Sequence, residues 1–292
     1  MFLERFLNYI TYEKRFSKHT TQAYEKDIEQ YRLFLETQEA DILSANHHHI
    51  RGWIISLMES GAEARTVNRK VSSLKTLYKF LVKENIIDVN PTYYLVTPKI
   101  PKKLPVFLEE AKLVQLLDSD VFAKDFFGLR DRLVIELLFG TGIRLSELIS
   151  LNIFCVDLGD CKIKVLGKRN KERIIPLTYT LVSLIQDYLF FKKNQFIDNN
   201  SDTLIVTNKG SAAYPKFIYR IVKNYLSLIS TKSKKSPHVL RHSFATALLN
   251  AGADIAAIKE LLGHANLAST QIYTHNSIER IKSIYKQAHP KA

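Results

Sequence analysis

Only two cysteines, Cys155 and Cys161, occur in the chain, which excludes a disulfide framework and leaves too few thiols for a Cys-based metal site. No apolar run approaches the ~20 residues that a membrane-crossing helix needs. The best stretch, Leu133 to Ile143, is short and is interrupted by Glu136. At the N-terminus, Glu4 and Arg5 fall where a signal peptide requires an uninterrupted apolar core. A cytoplasmic protein with no membrane partner is the expectation. A glycine-rich phosphate loop and clustered carboxylates are missing too, so nucleotide-driven and metal-dependent chemistry lack their usual residues.

Acidic residues are scarce in one part of the chain. Residues 1–100 hold 14 Lys/Arg and 12 Asp/Glu, which leaves 28 against 17 for the remainder. Thr203 to Ala253 contains eight basic residues and no acidic one. The net charge of +13 is therefore concentrated, and a concentrated surplus of this size points to a polyanion such as nucleic acid. The length of 292 residues predicts two domains.

The first hundred residues read as short helices. Phe2, Phe6, Tyr9 and Ile10 recur at helical spacing, and Ser17 offers an N-cap oxygen to a second periodic run from Tyr24 to Leu35. His47, His48 and His49 are adjacent, so on a helix they point apart and cannot chelate as an i, i+4 pair does. From Arg65 to Lys83 the apolar residues Val67, Val71, Leu74, Tyr78 and Leu81 gather on one side of a helix. Arg65, Arg69, Lys75, Lys79 and Lys83 gather on the other. That stretch contains no acidic residue to support the exposed face at i, i+4, so the face is expected to meet the DNA backbone. Asn90-Pro91 ends the helical part. Pro98, Pro101 and Pro105 then favour extended chain. The expected division is 1–91, a linker over 92–105, and 106–292. The second domain reads as mainly helical with a hairpin, Cys161 to Val165 and Glu172 to Ile175, joined through Gly167-Lys168-Arg169-Asn170.

Four motifs in the second domain can carry chemistry. In Gly140-Thr141-Gly142-Ile143-Arg144 the glycines break an apolar helix, and Arg144 sits where the next one starts, beside backbone N–H groups that suit a phosphate oxygen. Glu147 follows three residues later, placed to hold that guanidinium. Lys168 lies at the hairpin tip, where a lysine alone reads as a solvated turn residue. Ser236-Pro237 starts a helix, which puts His238 and Arg241 on one face near its positive end. Neither side chain tolerates burial without partners, and a phosphate facing both supplies them. Gly263 suits a left-handed C-cap after Ile255, Ile258, Leu261 and Leu262, so His264 emerges at a turn. Tyr273 follows nine residues on and, alone, is one tyrosine among 14.

Taken together, Arg144, Lys168, His238-x-x-Arg241, His264 and Tyr273 match the order and spacing of the tyrosine recombinase (phage integrase) signature. The stretch HVLRHSFATALLNAGADIAAIKELLGHANLASTQIYTH resembles the corresponding block of Xer-type recombinases. The T-x-x-A-Y-x-x-D-I pattern ending at Ile28 and the V-N-R-K-x-S-S-L-K-x-x-Y-x-F-L run resemble the core-binding domain of that family. One departure is visible: Arg169 stands where relatives usually carry a glycine, which bears on the turn holding Lys168.

The resemblance implies a mainly α fold, with an N-terminal helical, SAM-like core-binding domain and a C-terminal α+β catalytic domain of the DNA breaking-rejoining type with a small β-sheet. It implies that Tyr273 attacks a DNA phosphodiester, with Arg144, Arg241 and His264 donating to the phosphate. His238 takes the tyrosine proton and Lys168 protonates the leaving 5′-oxygen. Phosphate-backbone contacts are expected from Arg65, Arg69, Lys75, Lys79, Lys209 and Lys216, and no cofactor or metal is expected. The expected partners are double-stranded DNA and a homo- or hetero-tetramer joined through the tail at 277–292, where Ile278, Ile281 and Tyr285 keep helical spacing. A second Xer-type recombinase and a DNA translocase belong to the same expectation. Chromosome dimer resolution is the first reading of the biological role. A mobile-element integrase or invertase, a type IB topoisomerase and a catalytically silent DNA-binding protein stay open as alternatives.

Overall fold

The structure is a computed structural model that describes residues 2–101, 108–167, 172–196, 201–231 and 235–263. It divides into two compact units, Met1–Leu104 and Pro105–Ala292.

The first unit is helical: α1 (Phe2–Asn8) runs into a π-turn (Tyr9–Glu13), followed by α2 (Lys18–Glu36), α3 (His47–Glu59) and α4 (Ala64–Lys83). Ser17 caps α2, its hydroxyl accepting the Thr20 N–H at 3.3 Å. The three histidines form the first turn of α3. Asn46 caps that turn, and His49 Nδ1 accepts the Asn46 N–H at 3.1 Å, which gives His49 a local structural partner. The apolar side of α4, with Val67, Val71, Leu74, Leu77, Tyr78 and Leu81, is buried in the core of this unit against Ile28, Tyr31, Leu35, Ile50 and Trp53. Of the expected linker, Thr92 is buried, Leu95 packs on this core, and the Pro98 carbonyl accepts from Asn68 Nδ2 at 2.9 Å.

The basic side of α4 corrects the sequence reading in one respect. Acidic partners are absent from the helix itself, but other elements supply them. Buried Asp27 of α2 accepts from both Arg69 and Lys70, and Glu13 lies 3.4 Å from Lys83 Nζ. Arg69 thus has an ion-pair partner within the unit, while its side chain stays 44% exposed. Arg65, Arg69, Lys75 and Lys79 all lie on the exposed side.

In the second unit, the order is α5 (Glu110–Asp118), α6 (Phe126–Gly140), α7 (Leu145–Ile149), a 3-10 turn (Ile153–Cys155), β1 (Val156–Asp157), β2 (Lys162–Leu166), β3 (Glu172–Pro176), α8 (Tyr179–Gln195), α9 (Pro215–Ile229), α10 (Pro237–Asn250) and α11 (Ile255–Leu262). α6 is the central helix, with Leu133, Val134, Ile135, Leu137, Leu138 and Phe139 all buried, and it also buries the charged side chains of Arg130 and Glu136. It packs against α5, α8, α9 and α10. The strands form an antiparallel sheet in the order β1-β2-β3, with Ile163 opposite Ile175 and Val165 opposite Arg173. No described helix is long and apolar enough to cross a membrane.

Asp27 gives the first unit a testable weak point. Removing this carboxylate leaves the buried Lys70 ammonium without its ion-pair partner, a change that typically costs about 3 kcal/mol or more. Trp53 is the chain's only tryptophan, and Lys70 Nζ lies 5.9 Å from its ring. Urea unfolding followed by tryptophan fluorescence should show Asp27→Ala destabilised by about that amount. Adding Lys70→Met to it should restore much of the loss. A single variant as stable as the parent would show that the pair contributes nothing.

Candidate active site

Two glycines let the elements of this site approach. α6 ends at Gly140, and Thr141 Oγ1 donates back to the Leu137 carbonyl at 2.6 Å. Gly142 follows with φ of +61°, and a Cβ there would stand 2.5 Å from the Phe244 ring and 2.7 Å from a Leu262 methyl. Only glycine admits both that conformation and that contact. The chain can therefore turn tightly against α10 and α11 before Arg144 caps α7.

At the start of α7, the Glu147 carboxylate takes four hydrogen bonds. Oε2 accepts the Arg144 backbone N–H at 2.8 Å, and Oε1 accepts Arg144 Nη1 at 2.7 Å. Arg173, from β3, adds a two-pronged contact: Nη1 to Oε1 at 2.7 Å and Nη2 to Oε2 at 2.8 Å. Four bonds fill the lone-pair sites of a carboxylate. Burial alone pushes this carboxyl up. The hydrogen bonds and charge of Arg173, with those of Arg144, outweigh burial and bring its pKa down to about 2. The backbone N–H that the sequence offered to a phosphate at Arg144 is thus used by Glu147.

Arg241 enters from α10. It is buried, and it donates to the carbonyls of Gly142 and of Leu262, the latter at 2.6 Å. The sequence reading gave Arg241 no partner besides a phosphate. The carbonyls correct this, although neither neutralises its charge. Burial, reinforced by the charges of Arg144 and Arg173 and opposed by Glu147, lowers its pKa to about 10. His238, one turn earlier, is exposed. Ser236 is the N-cap residue of α10, but its hydroxyl makes no capping bond.

The end of α11 closes the group. Its C-cap is Gly263, left-handed at φ 63° and ψ 49°. Arg173 Nε donates to the Leu261 carbonyl at 2.9 Å, Arg241 to Leu262, and Arg144 Nη2 to Gly263. Three guanidiniums therefore surround one carboxylate and three successive carbonyls. Among the described residues this arrangement carries two positive charges beyond what Glu147 balances. An oxyanion with two or more acceptor oxygens is the ligand it suits.

Lys168, His264 and Tyr273 lie outside the described residues, as does the tail at 277–292. Lys209 is exposed in the turn after Val206, and Lys216 is exposed on the first turn of α9.

Comparison with known proteins points the same way. Residues 107–280 match the model of the phage integrase family, and residues 3–85 match that of its N-terminal SAM-like domain. The chain belongs to the phage integrase family. It is 37% identical to the tyrosine recombinase XerC of Chlorobaculum parvum, covering 99% of this chain and 94% of that one. It is 36% identical to the tyrosine recombinase XerD of Staphylococcus haemolyticus, covering 99% of both. Among solved structures it resembles the XerH site-specific recombinase bound to palindromic difH substrate in a post-cleavage complex. That match has a TM-score of 0.67 at 25% identity, over 91% of this chain and 78% of the other. The Tn1549 transposon integrase shares the fold, with a TM-score of 0.70 at 20% identity over 97% and 99% of the two chains.

Within this tyrosine recombinase, Arg173 is the site residue that motif reading missed. A signal was present: β3 alternates, Arg173 and Ile175 share the buried face, and a lone arginine on an apolar face needs a buried partner.

The Glu147 pKa fixes a pH dependence. The folded value, about 2, lies below the ordinary 4.5, so its contribution to stability is full above 4.5 and fades as pH falls through about 2. At neutral pH, Glu147→Gln should be less stable than the parent by about 3 kcal/mol, since it leaves buried Arg173 without its carboxylate. That gap should narrow steadily below pH 4.5 in urea titrations followed by far-UV circular dichroism. A gap independent of pH would mean that the carboxylate charge is not what stabilises the site.

Proposed function

We propose that this chain is a site-specific recombinase that cuts and rejoins DNA through a 3′-phosphotyrosyl intermediate on Tyr273. The observation that carries the reading is the cationic group around Arg144 and Arg241, which holds more positive charge than its one carboxylate balances. A phosphodiester resists attack until its charge is offset. Arg144 and Arg241 donate to the non-bridging oxygens, where charge grows in the five-coordinate transition state. His264, next in sequence after Gly263, adds a third donor. Tyrosine has an ordinary pKa of ~10, so its hydroxyl must lose a proton as it attacks, and His238 receives it. The bond from phosphorus to the 5′-oxygen breaks, Lys168 protonates that oxygen, and the 3′-phosphate stays on Tyr273. The ester is exchanged rather than hydrolysed, so the reverse attack by a 5′-hydroxyl reseals a strand.

Arg65, Arg69, Lys75, Lys79, Lys209 and Lys216 contact backbone phosphates, which makes binding steeply salt-dependent. The tail at 277–292 joins protomers into a tetramer on DNA. The biological role is chromosome dimer resolution at cell division. The XerC and XerD relatives, matched over nearly the whole chain, support that role over mobile-element integration.

The test is to trap DNA on the protein in cells by rapid denaturation, sequence it, and build a nicked suicide duplex from the recovered site. The parent should form an SDS-resistant adduct, and Tyr273→Phe none. Arg144→Ala and Arg241→Ala should each slow adduct formation by about 10²–10³-fold, as loss of a preorganised donor to a developing oxyanion does. No adduct from the parent would leave a silent DNA-binding protein. Relaxation of a plasmid lacking the recovered site would favour a topoisomerase.

A further inference from the structure

We propose that Arg173 is a positioning residue of the strand-transfer site, setting through Glu147 the place of Arg144 and, at the same time, the point where α11 releases the chain toward His264. This inference rests on the recombinase reading above and deepens it.

The location of Arg173 is the first argument. It is buried on the inner face of β3, opposite Val165 and two residues from Ile175, where an aliphatic side chain would complete the sheet. Burying an ion pair there is often no better for stability than a well-packed apolar substitute, so packing does not explain the choice.

Its contacts are the second argument. Every nitrogen of the guanidinium is used, and on two targets. Nη1 and Nη2 take both oxygens of Glu147, and Nε takes the Leu261 carbonyl. Glu147 Oε1 is shared with Arg144 Nη1 and Oε2 with the Arg144 backbone, so a displaced carboxylate displaces Arg144 through two bonds. At the other end, Leu261 begins the run of three carbonyls that Arg173, Arg241 and Arg144 take in succession. A planar fork bonded to both groups fixes their separation, which lysine, as a point charge, cannot do.

The third argument is Gly263. A Cβ there would lie 3.3 Å from Arg173 Cδ and Nη1 and 3.4 Å from Arg144 Nη1. A side chain at the cap would press on both arginines, so the absence of one lets the end of α11 and the two arginines be set together. Arg173 does not reach the phosphate in this scheme. It acts through Glu147 and through the helix end.

The experiment compares Arg173→Met, Arg173→Lys and Arg173→Met/Glu147→Gln with the parent. Each is measured for thermal unfolding, for affinity to the recovered-site duplex, and for the rate of adduct formation on the nicked suicide version between about pH 5 and 8. Arg173→Met should bind DNA like the parent yet form adduct about 10²-fold more slowly, the scale of a small misplacement of a catalytic group. Its rate should also acquire an acid limb. Glu147 keeps its burial but loses its main cationic partner, so it takes up a proton nearer neutral pH, loses its charge and can no longer accept from Arg144 through both oxygens. The double variant has no carboxyl at this position and should be slow with no such limb. Arg173→Lys should recover thermal stability but only part of the rate.

A parent-like rate in folded Arg173→Met overturns the proposal. So do rate losses that track the folded fraction across all three variants with no change in pH profile, for then Arg173 is only structural. If Arg173→Met does not fold, the comparison of Arg173→Lys with the double variant decides by the same criteria. Absence of an adduct from the parent itself is a different result, and it overturns the recombinase reading first.

Discussion

The carboxylate of Glu147 is the group on which the rest of the second unit's chemistry depends. Two arginines bond to it and a third, Arg241, feels its charge. Two unit charges ~4 Å apart repel by about 4 kcal/mol at the effective dielectric of a protein surface, and by more in a dry interior. Three guanidiniums could not share this space without an anion among them. One carboxylate is enough to let the site fold and too little to neutralise it. The carbonyls at the end of α11 ease the remainder, since a helix C-terminus carries about half a negative charge. Among the described residues the site thus keeps a surplus of positive charge for a ligand.

That balance explains why the site is assembled from rigid elements. Glu147 and Arg144 come from the first turn of α7, Arg241 from α10, Arg173 from the sheet, and the acceptor carbonyls from Gly142 and α11. Packing in the unit's core holds α7, α10 and α11 through Leu148, Leu240, Phe244, Leu261 and Leu262, around the central helix α6. A hydrogen bond from a guanidinium to a carboxylate is directional, so its geometry is only as reproducible as the backbones at its two ends. The hairpin enters the same scheme because Arg173 lies on it. A short sheet in a helical domain here supplies a buried side chain.

Much of this was legible in the sequence where the cause is local. The α4 pattern, the Ser17 cap, the β2–β3 hairpin, the break at Gly142 and the C-cap at Gly263 each depend on residues within a few positions of one another. The i, i+3 relation of Arg144 to Glu147 belongs to the same class, and their contact is present. What spacing could not supply is the partner that comes from far along the chain. Arg173 meets Glu147 across 26 residues, and Arg69 meets Asp27 across 42. The basic face of α4 looked unpaired because its acids lie on other elements. Arg241 looked unpartnered because backbone carbonyls have no signature in a sequence. The triple histidine is a local case too: spacing sets it aside as a chelating group, and in the structure it forms the first turn of α3, where His49 and Asn46 make a capping box.

The two arginines assigned to the phosphate are anchored differently, and the difference has consequences. Arg144 has a carboxylate at 2.7 Å, so part of its charge is offset before any ligand arrives. Among the described residues Arg241 donates to carbonyls alone, and burial lowers its pKa to about 10. In the proposed reaction, an arriving phosphate supplies Arg241 with an anion that its carbonyl acceptors do not provide. Arg144 is better suited to direction, because Glu147 and the Gly263 carbonyl hold its guanidinium from two sides. In the proposed site both arginines serve the phosphate, and Arg144 is in addition held in direction by its anchors. The Arg173–Glu147 contact then bears on the placing of Arg144 more than on that of Arg241, which does not bond to Glu147.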